Sequence, residues 1–144
     1  MITVLVPAGA HPAGSRAPID ENEAHHLRVR RVEAGDPVGL RDGAGLIGTG
    51  RAVQEGQSWL VEVDAAAAAP RPAELILAVG AGDRERFVWL VEKATELGVT
   101  TVVPLLTERT AGVATRVREQ HLPKLRRHAL ETLKQCGAAW APMV

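Results

Sequence analysis

Cysteine is nearly missing from this sequence: Cys136 stands alone among 144 residues. A single thiol forms no intramolecular disulfide, so a reducing compartment, the cytoplasm, is the expected one. Also missing is any apolar run near the roughly 18 residues that a membrane span needs. The opening MITVLVPAGAHPAG has neither the basic start nor the long apolar stretch of a secretory signal. Net charge is zero, with 17 basic and 17 acidic side chains, which argues against a strongly basic nucleic-acid binder. The Walker pattern and the full GxGxxG fingerprint are absent, and no serine, histidine and acid stand out as a nucleophilic triad. His25 and His26 have no third ligand nearby at recognisable spacing, so no metal site is expected.

What is present reads as a folded globular protein, with 46% hydrophobic and 24% charged residues. The zero charge hides an asymmetry: residues 1–64 carry 6 basic and 9 acidic side chains, and residues 65–144 carry 11 and 8. Local clusters therefore matter more than the total for binding a polyanion.

The first 64 residues alternate short apolar stretches with turn signals. Strands are expected at Ile2 to Val6, Pro37 to Arg41, Gly45 to Val53 and Trp59 to Val63, with Asp42-Gly43 as a hairpin-type turn. Glu21 to Arg31 reads as one short helix capped by Asp20 or Asn22. Such spacing predicts a small antiparallel β-barrel over residues 1–68. AAAAAPRPA, residues 65–73, reads as an interdomain linker, with 69–73 as its unambiguous part. Beyond it, Glu74 to Val79 and Val99 to Leu106 are apolar runs of the kind found in buried parallel strands. Phe87, Leu90, Val91, Ala94 and Leu97 follow helical spacing up to Gly98. Leu122, Leu125, Ala129, Thr132, Leu133 and Cys136 do the same up to Gly137, which makes a buried, inert Cys136 thiol the expectation. Residues 74–144 thus read as strand, helix, strand, helix, the start of a parallel α/β sheet. Two strands with two helices cannot cover both sheet faces, and a third strand is expected to begin near Ala141 to Val144. The fold class is α+β overall, with an incomplete second domain and a sheet edge open to pairing.

Several groups could carry chemistry. Arg28, Arg30 and Arg31 form the densest basic cluster of the first half, and on a helix Arg28 and Arg31 would share a face. A phosphate-binding role and a solvated helix face both fit them. Gly80-Ala81-Gly82-Asp83-Arg84 lies at the carboxyl end of the first parallel strand, where such folds bind ligands, although an ordinary turn capped by Asp83 fits equally. Lys93 and Glu96 are spaced as a helix-surface pair, and Glu108 with Arg109 follows the second parallel strand. Arg116, Arg118, Lys124, Arg126, Arg127 and Lys134 make the last helical region basic, whether facing RNA or water.

In order, these signals form a pattern. His25-x-x-Arg28-Val29-x-Arg31, Gly35-Asp36 and Asp42-Gly43 resemble the PUA-like N-terminal domain of RsmE-type ribosomal-RNA uridine methyltransferases, of the SPOUT superfamily. Gly82-Asp83-Arg84, then Lys93-Ala94-Thr95-Glu96-Leu97-Gly98-Val99, Pro104-Leu105-x-Thr107-Glu108-Arg109 and Gln135-Cys136-Gly137, resemble the opening of that family's methyltransferase domain. The resemblance implies a PUA-like barrel followed by the first βαβα part of a trefoil-knot SPOUT domain. It implies a cytoplasmic homodimer that uses S-adenosylmethionine to methylate N3 of a uridine in 16S rRNA of the small ribosomal subunit. RNA-contact residues carried over are Arg28, Arg31, Lys93 and Arg109, with Asp83, Arg84, Glu96 and Glu108 as site support.

The sequence departs from the family at informative places. The glycine-rich GPEGG donor loop and the arginine-containing segment that completes the knot are absent, so this chain is expected to lack the donor site and to be inactive alone. Ala81 and Ala138 stand where family members usually carry basic residues, and Lys134 stands where they usually carry Glu. A stand-alone RNA-binding module without catalysis is the competing function. A structural role, with the unfinished sheet completed by another chain, is a third.

Overall fold

A computed structural model describes all 144 residues, which divide into two compact units, Met1–Pro70 and Arg71–Val144. In the first unit, β1 (Ile2–Leu5), β2 (Arg16–Pro18), β3 (Pro37–Arg41), β4 (Leu46–Glu55) and β5 (Ser58–Ala68) form one sheet in the order β1-β3-β4-β5-β2. Three of its pairings are antiparallel, as expected, but β1 runs parallel to β3. Parallel neighbours need a long crossover. Here it consists of β2 and the helix α1 (Glu21–Val29).

Alternation drives burial. Trp59, Val61 and Val63 of β5 point inward with Val38 and Leu40 of β3, Val4 of β1, Ala17 of β2 and Ala52 of β4. Leu27 and Ala24 of α1 close the same core. Gly50 lets β4 and β5 approach. A Cβ there would meet the Glu62 carbonyl oxygen at 2.3 Å and Val61 Cγ1 at 2.7 Å, next to a register shift. The hairpin between β3 and β4 is fixed by Asp42, whose Oδ1 accepts from Ala44 N at 2.7 Å and Leu46 N at 2.9 Å.

Ala65 to Ala68 are not linker. They continue β5 and pair with Leu46 to Thr49. Their backbone groups find ladder partners in the long β4, and that satisfaction outweighs the weak strand preference of alanine.

The second unit holds β6 (Ile76–Gly80), α2 (Arg84–Glu96), β7 (Thr101–Leu105), the one-turn helix α3 (Glu108–Ala111), a 3-10 turn at Glu119–His121 and α4 (Leu122–Cys136). β6 and β7 pair in parallel from Ile76/Thr101 to Gly80/Leu105. Phe87, Val91 and Ala94 of α2 and Leu125 and Ala129 of α4 share one core with Leu77, Val79 and Val102. Both helices therefore cover one sheet face, and the expectation of strands buried on both faces fails for β6: Ile76 is 54% exposed and Ala78 is exposed too. On the free edge of β7, Met143 makes a parallel bridge to Thr101, donating from N to the Thr100 carbonyl at 3.0 Å and accepting from Val102 N at 2.7 Å.

Cys136 is exposed, not buried. It falls at the last helical position, where the apolar stripe of Leu125, Ala129 and Leu133 has outrun its partners. Pro123 stands in the first turn of α4, where its missing N–H costs nothing, and Gly137 ends the helix at φ 75°.

Asp83 starts α2 and joins two loops. Its Oδ1 accepts from Glu85 N at 3.0 Å and Arg86 N at 3.2 Å, and its Oδ2 accepts from the Thr115 hydroxyl at 2.7 Å. Main-chain bonds from Arg84 N to Thr115 O and from Val117 N to Gly82 O, both 3.0 Å, complete the join. The Thr115 hydroxyl, which bonds the ionised form, is the main cause that holds the Asp83 carboxyl below the ordinary 3.8. The Arg86 and Glu85 N–H groups and the Arg86 charge act in the same direction, and partial desolvation opposes them.

Two outcomes are expected. Gly50→Ala should destabilise the first unit by about 1–3 kcal/mol, as for other overpacked positions, and so lower its urea midpoint; an unchanged midpoint would show that the β4–β5 approach has slack. Because the folded Asp83 carboxyl titrates below its unfolded value, its contribution is complete above 3.8 and fades as pH falls through its own lower value. Carboxyl NMR titration of Thr115→Val should move Asp83 back up toward 3.8; no movement would remove the hydroxyl as the cause.

Candidate nucleic-acid interface

In the first unit the basic cluster surrounds the end of α1. Arg28 is exposed and pairs with Glu21 one face along the helix. Arg31 does not share that face. The helix stops at Val29, and Arg31 takes a left-handed φ of 54°, the one non-glycine residue to do so. Its N–H bonds Arg28 O at 3.0 Å while Val32 N bonds Leu27 O at 3.0 Å, the paired bonds of a Schellman terminus. Val32 packs on the barrel core, which fixes the turn. α2 ends the same way, with Gly98 at φ 80° and Val99 N on Ala94 O at 2.9 Å. Glycine holds this position in one helix and arginine in the other. The left-handed conformation costs an L-residue about 1–2 kcal/mol, so Arg31 is held by its surroundings with an exposed side chain that has no ion pair.

In the second unit, the carboxyl ends of β6 and β7 carry most of the remaining candidates. Glu108 and Arg109 are exposed on α3, whose Thr107 and Thr110 cap each other. α3 lies against the end of β6: a Cβ on Gly80 would come within 3.3 Å of Thr110 Cγ2. A cleft of 440 Å³ opens beside it, with Ala81, Leu106, Arg116, Arg118 and Glu119 in its wall. Ala81 is buried in that wall, where Arg116 and Arg118 bring the positive charge that its own side chain lacks. A second cleft, of 310 Å³, is bounded by Asp83, Arg84, Thr115, His121 and Lys124.

Lys93 has a different setting. Its Nζ lies 2.9 Å from Glu92 Oε1 and 3.1 Å from both Glu96 oxygens. Hydrogen bonds that Lys93 donates to these carboxylates, Glu92 first, raise its pKa above 10.5, and the same lysine is the main cause that holds Glu92 below 4.5. His128 Nε2 of α4 stands 3.4 Å from Glu92 Oε2, close to it but without the geometry of a hydrogen bond. The Lys93–Glu96 pair was readable from spacing. Glu92 and His128 were not, since adjacent helix residues are not expected to meet and the histidine comes from another helix. Nor does Lys93 join the loop candidates: along α2 it lies ~14 Å from Arg84, at about 1.5 Å per residue.

The remaining departures are also placed. Lys134 is nearly covered, with its Nζ 2.7 Å from Glu131, and Ala138 is half-buried just past α4. No three His, Cys, Asp or Glu side chains are grouped to hold a metal ion. No helix is long and apolar enough to cross a membrane.

Comparisons with known proteins agree with this layout. An RNA methyltransferase domain family matches residues 69–144, and an RNA methyltransferase PUA domain family matches residues 19–56. A ribosomal RNA small subunit methyltransferase E of Synechocystis sp. is 33% identical over 128 residues, 85% of this chain and 40% of that relative. The same enzyme type from Neisseria gonorrhoeae, solved bound to S-adenosyl methionine, superposes with a TM-score of 0.84 at 22% identity over 100% of this chain and 60% of its own. A predicted RNA methyltransferase of Thermotoga maritima gives a TM-score of 0.82 at 26% identity, over 100% and 65%. The chain thus spans 40% of the curated relative's length and 60–65% of those two solved chains. With both domain families present in collinear order on one chain, it belongs to the RsmE-type family of RNA methyltransferases.

Proposed function

We propose that residues 1–144 form the RNA-holding part of an S-adenosylmethionine-dependent methyltransferase that acts on N3 of a uridine in 16S rRNA. The whole protein works as a cytoplasmic homodimer. The observation that carries this reading is the ordered pair of RNA methyltransferase and PUA domain matches on a chain whose exposed arginines flank loop ends.

Arg31 and Arg109 are the phosphate contacts, because each presents a guanidinium with no carboxylate in competition. Arg28 joins them by exchanging Glu21 for phosphate, since an exposed pair of this kind is worth about 0–1 kcal/mol. Lys93 contributes least, its charge being already answered by Glu92 and Glu96. Methylation at a ring nitrogen also requires the uridine to leave its stack and to lose its N3 proton.

S-adenosylmethionine supplies the methyl group in this family. The residues of the 440 Å³ cleft do not fit it alone: Arg116 and Arg118 oppose a sulfonium cation, and Glu119 is the one carboxylate there for ribose hydroxyls. Residues 1–144 by themselves therefore neither bind the donor tightly nor transfer methyl.

Filter binding of single-stranded RNA should show log affinity falling linearly with log salt. Arg31→Ala and Arg109→Ala should each reduce the slope by about 0.7, and Lys93→Ala should change it least; equal effects at all three would refute the ranking. Arg31→Gly should keep or raise the thermal midpoint of the first unit, since glycine carries no left-handed cost, while weakening RNA binding; unchanged affinity would leave Arg31 a purely structural residue. Calorimetric titration of the 144-residue chain with S-adenosylmethionine should give no saturable heat in the micromolar range, and tight 1:1 binding would overturn the assignment of the donor site elsewhere.

A further inference from the structure

Arg84 and His121 meet with no acceptor between them. His121 Nδ1 accepts the backbone N–H of Arg118 at 2.9 Å, so that nitrogen carries the lone pair. A neutral imidazole then bears its single proton on Nε2. Nε2 lies 3.1 Å from Arg84 Nη1. A guanidinium has donors only, so this contact sets one donor against another. Protonating His121 would not help, since Nδ1 would gain a hydrogen and lose the Arg118 bond.

An oxygen placed at the cleft side of this contact takes a hydrogen bond from each group. Lys124 faces the same 310 Å³ cleft and has no ion pair. Two carboxylates also border the space. Asp83 is fully engaged by Glu85 N, Arg86 N and the Thr115 hydroxyl. Glu85 is exposed and makes no ion pair with Arg84. The wall that carries Thr115 is tied to Asp83 and Arg84, so the donors sit on a supported frame.

We infer that the cleft between the first turn of α2 and the 3-10 turn before α4 is an oxyanion site, taking one phosphate of the RNA backbone through Arg84, His121 Nε2–H and Lys124. The RNA half of this assignment rests on the function proposed above. Three donors from three elements suit a tetrahedral phosphate, whose oxygens leave in different directions. With Glu85 nearby, free phosphate should bind weakly, and affinity for RNA should come from the site acting together with other phosphate contacts.

The test has two arms on the full 144-residue chain. In the first, inorganic phosphate is titrated while nitrogen-15 NMR follows the His121 ring and the Arg84 side chain. Saturable shifts with a millimolar midpoint are expected, lost in Arg84→Gln and weakened in Lys124→Gln, with Arg86→Gln as the unaffected charge control. Absence of saturable shifts, or equal shifts in Arg84→Gln, overturns the site. In the second arm, filter binding compares single-stranded RNA on the wild type and on the Arg84→Gln, Lys124→Gln double variant. A several-fold loss in the double variant, with a salt slope lower by about 0.7, supports an RNA phosphate as the occupant. If the wild type binds RNA and the double variant binds it equally, the RNA assignment of the cleft falls while the wider RNA reading stands. If phosphate shifts occur but the wild type binds no RNA, the wider reading fails and the cleft takes free phosphate instead.

Discussion

The Asp83 carboxylate is the constraint on which the ligand-facing end of the second unit depends. One side chain caps α2 and, through Thr115, ties the loop after β6 to the segment before α4. Those segments are distant in the chain. Without the tie, the wall that separates the two clefts, Thr115 to Val117, would keep only its main-chain bonds to Gly82 and Arg84. Arg116 faces one cleft and Thr115 the other. The cost of ordering this loop is offset by a charged acceptor that takes three hydrogen bonds, a stronger arrangement than neutral pairs provide.

Much of the fold was readable because its signals are local. β3 runs from Pro37 to Arg41 as its apolar pattern predicts, α4 runs between Leu122 and Cys136, and Asp20 caps α1 through Glu23 N. Misreadings arose where a partner decides the outcome. Ala65 to Ala68 carry no strand signal, yet β4 is long enough to recruit them. Three-residue β2 and one-turn α3 are shorter than any periodicity can show. The parallel seating of β1 is a property of topology, invisible in its four residues. Arg28 and Arg31 looked coplanar on a helix until Val32, drawn to the core, turned the chain between them.

The candidate site divides along the same line. Exposed arginines near loop ends could be picked out by residue type and position. Whether each is free could not, because Glu21, Glu92 and Glu131 neutralise particular cations through three-dimensional proximity. The contact of Arg84 with His121 spans 37 positions, beyond any spacing rule. Family resemblance named Arg84, but it could not say that its guanidinium would face another donor.

The hairpin of β4 and β5 has a kinetic meaning. Its two strands turn back through Gly56, at φ 61°, and zip from Glu55/Ser58 outward to Leu46/Ala68. Loop closure over so short a turn is cheap, so this ribbon can assemble early from local contacts. β1 is different: it has no place until β3 and the crossover through α1 exist. As the chain leaves a ribosome, its two N-terminal strands must therefore wait for partners made later, β1 for β3 and β2 for the still later β5.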